Sequence, residues 1–167
     1  MNIKAYCSSV LTSKLILVIP VILVCFLGMA PQAQAAVTAT IVGHIPASSV
    51  NNDSCVENTT THKIYCFNDG GRVLEFDTTD NSVAIKNATF PGTANGSTCV
   101  ASSGTNKIYC FGGAISSGHP TGSIWQYDTQ FDTLTTMSAR MPQATYYPGC
   151  AENSLTKKIY CFGGTAG

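Results

Sequence analysis

The word Lys-Ile-Tyr-Cys-Phe occurs three times, at Lys63–Phe67, Lys107–Phe111 and Lys158–Phe162, and each time another cysteine stands eleven positions before its own. The cysteines fall as Cys55/Cys66, Cys99/Cys110 and Cys150/Cys161, and the second members are separated by 44 residues (66 to 110) and 51 residues (110 to 161). A period of this size predicts a repeat architecture, in which each unit buries its apolar surface only by stacking on a neighbour.

The unit can be read from its parts. Cys99-Val100-Ala101 and Ile108-Tyr109-Cys110-Phe111 are short β-type runs, and Ser102-Ser103-Gly104-Thr105-Asn106 between them is rich in turn residues. A hairpin folded about Gly104-Thr105 sets Cys99 directly across from Cys110. The same arithmetic centres the first hairpin on Thr60-Thr61 and the third on Leu155-Thr156. Opposed β carbons lie about 4.5–5.5 Å apart and a disulfide wants about 3.5–4.5 Å. A cross-strand bridge is therefore feasible at non-hydrogen-bonded positions, where strands sit closer, and should contribute roughly 2–3 kcal/mol. Six cysteines can pair in many ways; the repeat selects the local pairs Cys55–Cys66, Cys99–Cys110 and Cys150–Cys161. Zinc sites usually pair ligands a few residues apart, so the metal reading is poor.

Ile108 and Cys110 point to one face of their strand, Tyr109 and Phe111 to the other, and both sets are apolar. Such a strand is sandwiched between layers. Ser123–Asp128 alternates polar and apolar and leads through the turn Asp128–Asp132 into Thr133–Met137; Arg72–Asp77 and Ser82–Ile85 match them in the first repeat. Four antiparallel strands per repeat is the composition of a propeller blade.

These residues resemble the Kelch repeat, a hydrophobic strand ending in Gly-Gly, followed by a Tyr, a Trp and a turn of Met-Pro type. Gly112-Gly113, Tyr127 and Met141-Pro142 match, with Leu134 in the place of the Trp. In the first repeat Asn68-Asp69, Phe76 and Val83 replace the motif residues, and the third repeat stops at Gly163-Gly164. The resemblance implies an all-β fold, a partial Kelch-type β-propeller of about two and a half four-stranded antiparallel blades. Its parts are a lone outer strand of a closing blade at 37–43, repeats at 53–87 and 97–137, and an incomplete repeat at 148–167. A ring needs about four blades or more, so the sequence reads as a piece of a longer protein; the alternative is an open array whose edges pair with other copies.

Residues 1–35 belong to a different story. Lys4 and Lys14 precede the apolar run Leu15–Ala30, and Ala33-Gln34-Ala35 follows. A basic start, an apolar middle and an Ala-x-Ala exit predict a cleaved secretory signal; an uncleaved anchor is the alternative, although the run is short for a membrane span. The mature chain would then be secreted, periplasmic or extracellular, with no membrane attachment, and its even cysteine number favours disulfides. Lys+Arg and Asp+Glu are equal at 9 each and charged residues make up 11% of the chain, which argues against a nucleic-acid partner. Asn-x-Ser/Thr occurs at Asn52, Asn58, Asn87 and Asn95, glycan acceptors if the secretory pathway is eukaryotic.

Strand alternation predicts one face built from loops 47–53, 88–96, 114–122 and 138–149. Binding concentrates on loops held by a rigid scaffold. His119, Arg140, Tyr146 and Tyr147 are the side chains there most able to grip a partner, since aromatic and Arg residues dominate hot spots. No catalytic constellation, metal or cofactor is expected: His44, His62 and His119 lack the spacing of a metal pair, Asp77 and Asp128 begin turns, and no Gly-x-Ser-x-Gly or P-loop word occurs. The sequence thus points to a non-catalytic binding module for an extracellular protein or glycan. The alternative is a piece of a Kelch-fold enzyme, galactose-oxidase-like or sialic-acid-epimerase-like, by analogy of fold alone.

Overall fold

A computed structural model describes residues 54–67, 70–91, 95–115 and 118–166. The expected leader at 1–35, the strand at 37–43, His44, Asn52 and the Asn68-Asp69 pair lie outside the described residues. Every regular element described is a strand: β1 (Ser54–Asn58), β2 (Lys63–Phe67), β3 (Arg72–Asp77), β4 (Ser82–Thr89), β5 (Thr98–Ala101), β6 (Lys107–Phe111), β7 (Ser123–Asp128), β8 (Thr133–Arg140), β9 (Gly149–Asn153) and β10 (Lys158–Phe162). They form antiparallel sheets in the orders β1-β2-β3-β4 and β5-β6-β7-β8, with β9-β10 as a two-stranded third unit. No helix among the described residues is long and apolar enough to cross a membrane.

The hairpin register follows the cysteine arithmetic. Cys55 opposes Cys66, Cys99 opposes Cys110 and Cys150 opposes Cys161. All three pairs are bonded, with Cα atoms 4.1, 4.0 and 4.1 Å apart, the close spacing of non-hydrogen-bonded pairs. The turns are chemically specified. Asn58 accepts the Thr60 amide at 2.9 Å through its side chain, Asn153 accepts the Leu155 amide at 3.0 Å, and His62 and Lys157 complete their turns at φ 56° and 57°. Asp77 and Asp128 cap the outer turns by accepting the amides of Thr79 and Gln130, each at 2.9 Å, as short acidic side chains at turn starts do.

The outer strands run further than alternation predicts. β4 reaches Thr89 rather than Ile85, and β8 reaches Arg140 rather than Met137. Both extensions lie beyond a break in register, between Arg72 and Leu74 in one sheet and between Ser123 and Trp125 in the other. A bulge lets backbone pairing continue while it resets the side-chain alternation.

The core is the seam between the two complete sheets. Tyr65, Phe67 and Val73 of the first sheet, at 1%, 0% and 0% exposure, face Ile108, Cys110, Trp125 and Tyr127 of the second, at 0%, 0%, 4% and 0%. Ring centroids are 5.7 Å apart for Tyr65–Tyr127 and for Phe67–Tyr127, 5.6 Å for Phe67–Phe90 and 5.3 Å for Phe90–Trp125. Edge and tilted contacts at this range add to the stabilisation from burial itself. Leu134, opposite Tyr127, packs against this cluster, while the chain's one tryptophan enters it from Trp125, two residues before Tyr127 on the same face. The aromatic missing from position 134 is thus supplied from the neighbouring strand. Asp132 fastens the seam: its carboxylate accepts the amides of Asn87 at 2.8 Å and Ala88 at 3.3 Å, and the Tyr127 hydroxyl at 3.1 Å. Burial and the nearby Asp132 charge push the Tyr127 hydroxyl well above the usual phenol range.

Candidate binding face

The glycine pair that closes β6 organises the loops on this face. The Gly113 amide donates to the Thr145 carbonyl at 2.9 Å, the Ala114 amide to the Asn95 carbonyl at 2.8 Å, and the Thr121 amide to the Gly113 carbonyl at 2.8 Å. These three backbone groups of Gly113 and Ala114 therefore draw Asn95, Thr121 and Thr145 around one point. Only glycine fits there. Gly112 and Gly113 have φ of 66° and 88°, and a Cβ would stand 2.5 Å from the Thr145 carbonyl oxygen in the first case and 2.7 Å from the Ser97 amide in the second.

Tyr146 and Tyr147 sit where these loops converge. The backbones of Tyr146 and Thr165 exchange two hydrogen bonds of 2.9 Å, and the Tyr146 hydroxyl donates to the Gly118 carbonyl. That bond joins the tyrosines to the loop carrying His119, whose carbonyl accepts the Ile115 amide at 3.1 Å and whose side chain is exposed. Tyr147 has φ of 51°, a conformation uncommon for a bulky residue and maintained only when the surroundings impose it. Those surroundings are Gly96 and Asn95. The Tyr147 amide donates to the Gly96 carbonyl at 2.7 Å, and its hydroxyl reaches the Asn95 side chain at 3.4 Å. A Cβ on Gly96 would come within 3.2 Å of the Tyr147 ring. The two tyrosine rings lie 6.2 Å apart at 34°, and Tyr147 is 57% exposed.

Arg140 departs from the expected loop position. It is the last residue of β8, opposite Ser123, to whose hydroxyl its guanidinium donates at 3.2 Å. The extra strand length after the bulge carries it there. With Phe111, Ile124, Met141, Ile159 and Cys161 it lines an open cleft of about 480 Å³ between the second sheet and the third hairpin. The structure thus gathers His119, Tyr146 and Tyr147 through shared loops, and places Arg140 on a strand end in a cleft that Thr145 also lines.

Asn95, Gly96 and Thr145 position these side chains and were not among the expected site residues. Only the Asn-Gly dipeptide, a turn word, marks them in the sequence. Asn58 is 1% exposed, and its side-chain amide donates to the Thr105 carbonyl at 3.2 Å; a glycan there is incompatible with the folded chain. All six described cysteines are paired in disulfides. Among the described residues, no three His, Cys, Asp or Glu side chains gather as a metal ion would require.

Four-stranded antiparallel sheets stacked face to face, each with its hairpin at the same place, define a propeller-type repeat protein. The stretch 96–133, which holds β5, β6, β7 and the turn into β8, matches the Kelch motif. The match covers one repeat, the second of the three that share the cysteine spacing. No curated protein matches it.

Proposed function

We propose that this chain is an extracellular, non-catalytic binding module that grips a protein or glycan through Tyr146, Tyr147 and His119. The observation that carries the reading is the adjacent pair of tyrosine rings, one of them 57% exposed and held at a positive φ by loops from two repeats. Tyrosine offers a flat apolar face with a polar tip, suited to stacking on a sugar ring or a peptide side chain. It dominates binding hot spots for the same reason. Fixing its backbone before the ligand arrives lowers the ordering cost of association. Three disulfides suit an oxidising compartment.

The test is binding of the oxidised chain to an immobilised glycan array and to a panel of extracellular proteins, compared with a Tyr146→Ala/Tyr147→Ala variant of unchanged far-ultraviolet circular dichroism and melting temperature. Loss of roughly tenfold or more in affinity for the same hit, as expected for a hot-spot pair, supports the reading. A variant that keeps every interaction of the parent overturns the placement of the site. His119→Ala should weaken the same interaction to a smaller degree.

A further inference from the structure

The word Asn-Gly occurs once in the sequence, at Asn95-Gly96, and the fold sets it against the tyrosine pair. The two residues form a turn shortly before β5. Both of their carbonyls are engaged: that of Asn95 accepts the Ala114 amide at 2.8 Å, and that of Gly96 accepts the Tyr147 amide at 2.7 Å. Among the described residues the Gly96 nitrogen gives no backbone hydrogen bond, and glycine has no side chain to shield it. Asn95 is half-buried, and the Tyr147 hydroxyl donates to its Oδ1 at 3.4 Å.

Asparagine is a thermolabile residue because its carboxamide carbon is an electrophile within reach of the next residue's nitrogen. Attack of the Gly96 nitrogen on Asn95 Cγ forms a C–N bond and closes a five-membered succinimide. The Gly96 N–H proton passes to the departing nitrogen, the Cγ–Nδ2 bond breaks, and ammonia leaves. Water then adds to one of the two ring carbonyls. Opening at Cγ gives aspartate; opening at the main-chain carbonyl gives isoaspartate, whose chain runs through the side chain and is one methylene longer. The sum is amide plus water to carboxylate plus ammonium, with no change of oxidation state. Negative charge develops on Asn95 Oδ1 during the attack, and the Tyr147 hydroxyl is a donor already facing that oxygen. Asn58 and Asn153 also stand in turns, but their side chains accept the amides of Thr60 at 2.9 Å and Leu155 at 3.0 Å. Those carboxamides are fixed by the turn itself, and the residues that follow them, Thr59 and Ser154, carry side chains that shield the nitrogen.

We infer that Asn95 is a site of spontaneous deamidation, promoted by the Tyr147 hydroxyl, and that its isoaspartyl product releases Tyr147. The turn has no room for an added methylene. A Cβ on Gly113 would stand 2.8 Å from the Asn95 carbonyl oxygen and 2.7 Å from the Ser97 amide, and one on Gly96 would stand 3.2 Å from the Tyr147 ring. A longer chain between these points displaces the Gly96 carbonyl from the Tyr147 amide. It also turns the Asn95 carbonyl that holds Ala114 into a free carboxylate. Tyr147, at φ 51°, then loses a bond that imposes its conformation. The aspartyl product keeps the original backbone and leaves Tyr147 in place. This inference concerns the geometry of the loop face and is independent of what that face binds.

Peptide mapping of the oxidised full chain, made in a host without N-glycosylation and aged in mildly alkaline buffer at body temperature, tests it. The mass gain of amide to acid should accumulate several-fold faster at Asn95 than at Asn153 or Asn58. The Asn95 product should contain isoaspartate beside aspartate, told apart by electron-transfer fragmentation. Tyr147→Phe, at unchanged melting temperature, should slow the gain several-fold. Hydrogen exchange reads the consequence: the amides of Tyr147 and Ala114 should lose protection in the isoaspartyl form and keep it in Asn95→Asp. Conversion no faster at Asn95 than at Asn153, a product that is aspartate alone, or an isoaspartyl form with both amides still protected would each overturn the inference. An unchanged rate in Tyr147→Phe would overturn the hydroxyl's part in it.

Discussion

The same five residues, Lys-Ile-Tyr-Cys-Phe, occupy β2 in the seam between sheets and β10 in the third hairpin, and their surroundings differ almost completely. Tyr65 and Phe67 meet Tyr127 and Phe90, and both are buried. Lys63 lies among Glu75 and Asp77, 2.7 and 3.2 Å from their carboxylates. In β10 every residue from Lys158 to Phe162 is exposed or half-buried. Local pairing is alike in both hairpins, down to the disulfide and the left-handed turn residue. Strand formation is thus set within a repeat, whereas burial, and with it most of the stability, is set between repeats. That is the energetic signature of a stacked array.

The largest expected effect comes from cutting the seam. Phe67→Ala should lower the unfolding free energy by about 3–5 kcal/mol, while Phe162→Ala in dilute solution should stay within about 0.5 kcal/mol, both by urea titration. Equal losses at the two positions would break the comparison. Next comes the glycine pair. Gly112→Ala adds a clash with the Thr145 carbonyl oxygen to a φ of 66°, whereas a Cβ on Gly163, its counterpart in the third repeat, meets nothing within 4 Å. The first should cost roughly 2 kcal/mol or more, and the second only the left-handed penalty of about 1 kcal/mol.

The smallest effect is electrostatic. Burial alone would raise the Asp132 carboxyl, but the Asn87 amide, the Tyr127 hydroxyl and the Ala88 amide together hold it below the ordinary carboxylate value. Its contribution is therefore fully present above the ordinary carboxylate value and is lost as pH falls through the lower folded one. Melting temperature should drop as pH falls below the ordinary carboxylate range, and less steeply in Asp132→Asn. An identical acid limb in that variant would remove Asp132 from the account of the seam.

Much of this fold was legible before any coordinates. The cysteine spacing alone dictates which residues oppose each other, because a hairpin has one centre, and the sum of opposed numbers follows from it. Apolar residues on both faces of β6 signalled a layered stack for the same reason. The ends of β4 and β8 were hidden, since Lys86–Thr89 and Ser138–Arg140 are mostly exposed and polar and pair through their backbones after a bulge. Arg140 was misplaced in consequence. Tyr146 and Tyr147 could be picked out as loop aromatics. Their support from Asn95 and Gly96, some fifty residues earlier in the chain, is a product of stacking that no local pattern encodes.

Hydrogen exchange resolved to single strands tests the central claim most directly, because it compares identical words in one molecule. In dilute solution, the amides of Ile64–Phe67 and Ile108–Phe111 should exchange near the global unfolding limit, and those of Ile159–Phe162 far faster, through local opening. Equal protection of all three segments would contradict the account, since it would mean that each hairpin is stable by itself and the seam between sheets contributes little.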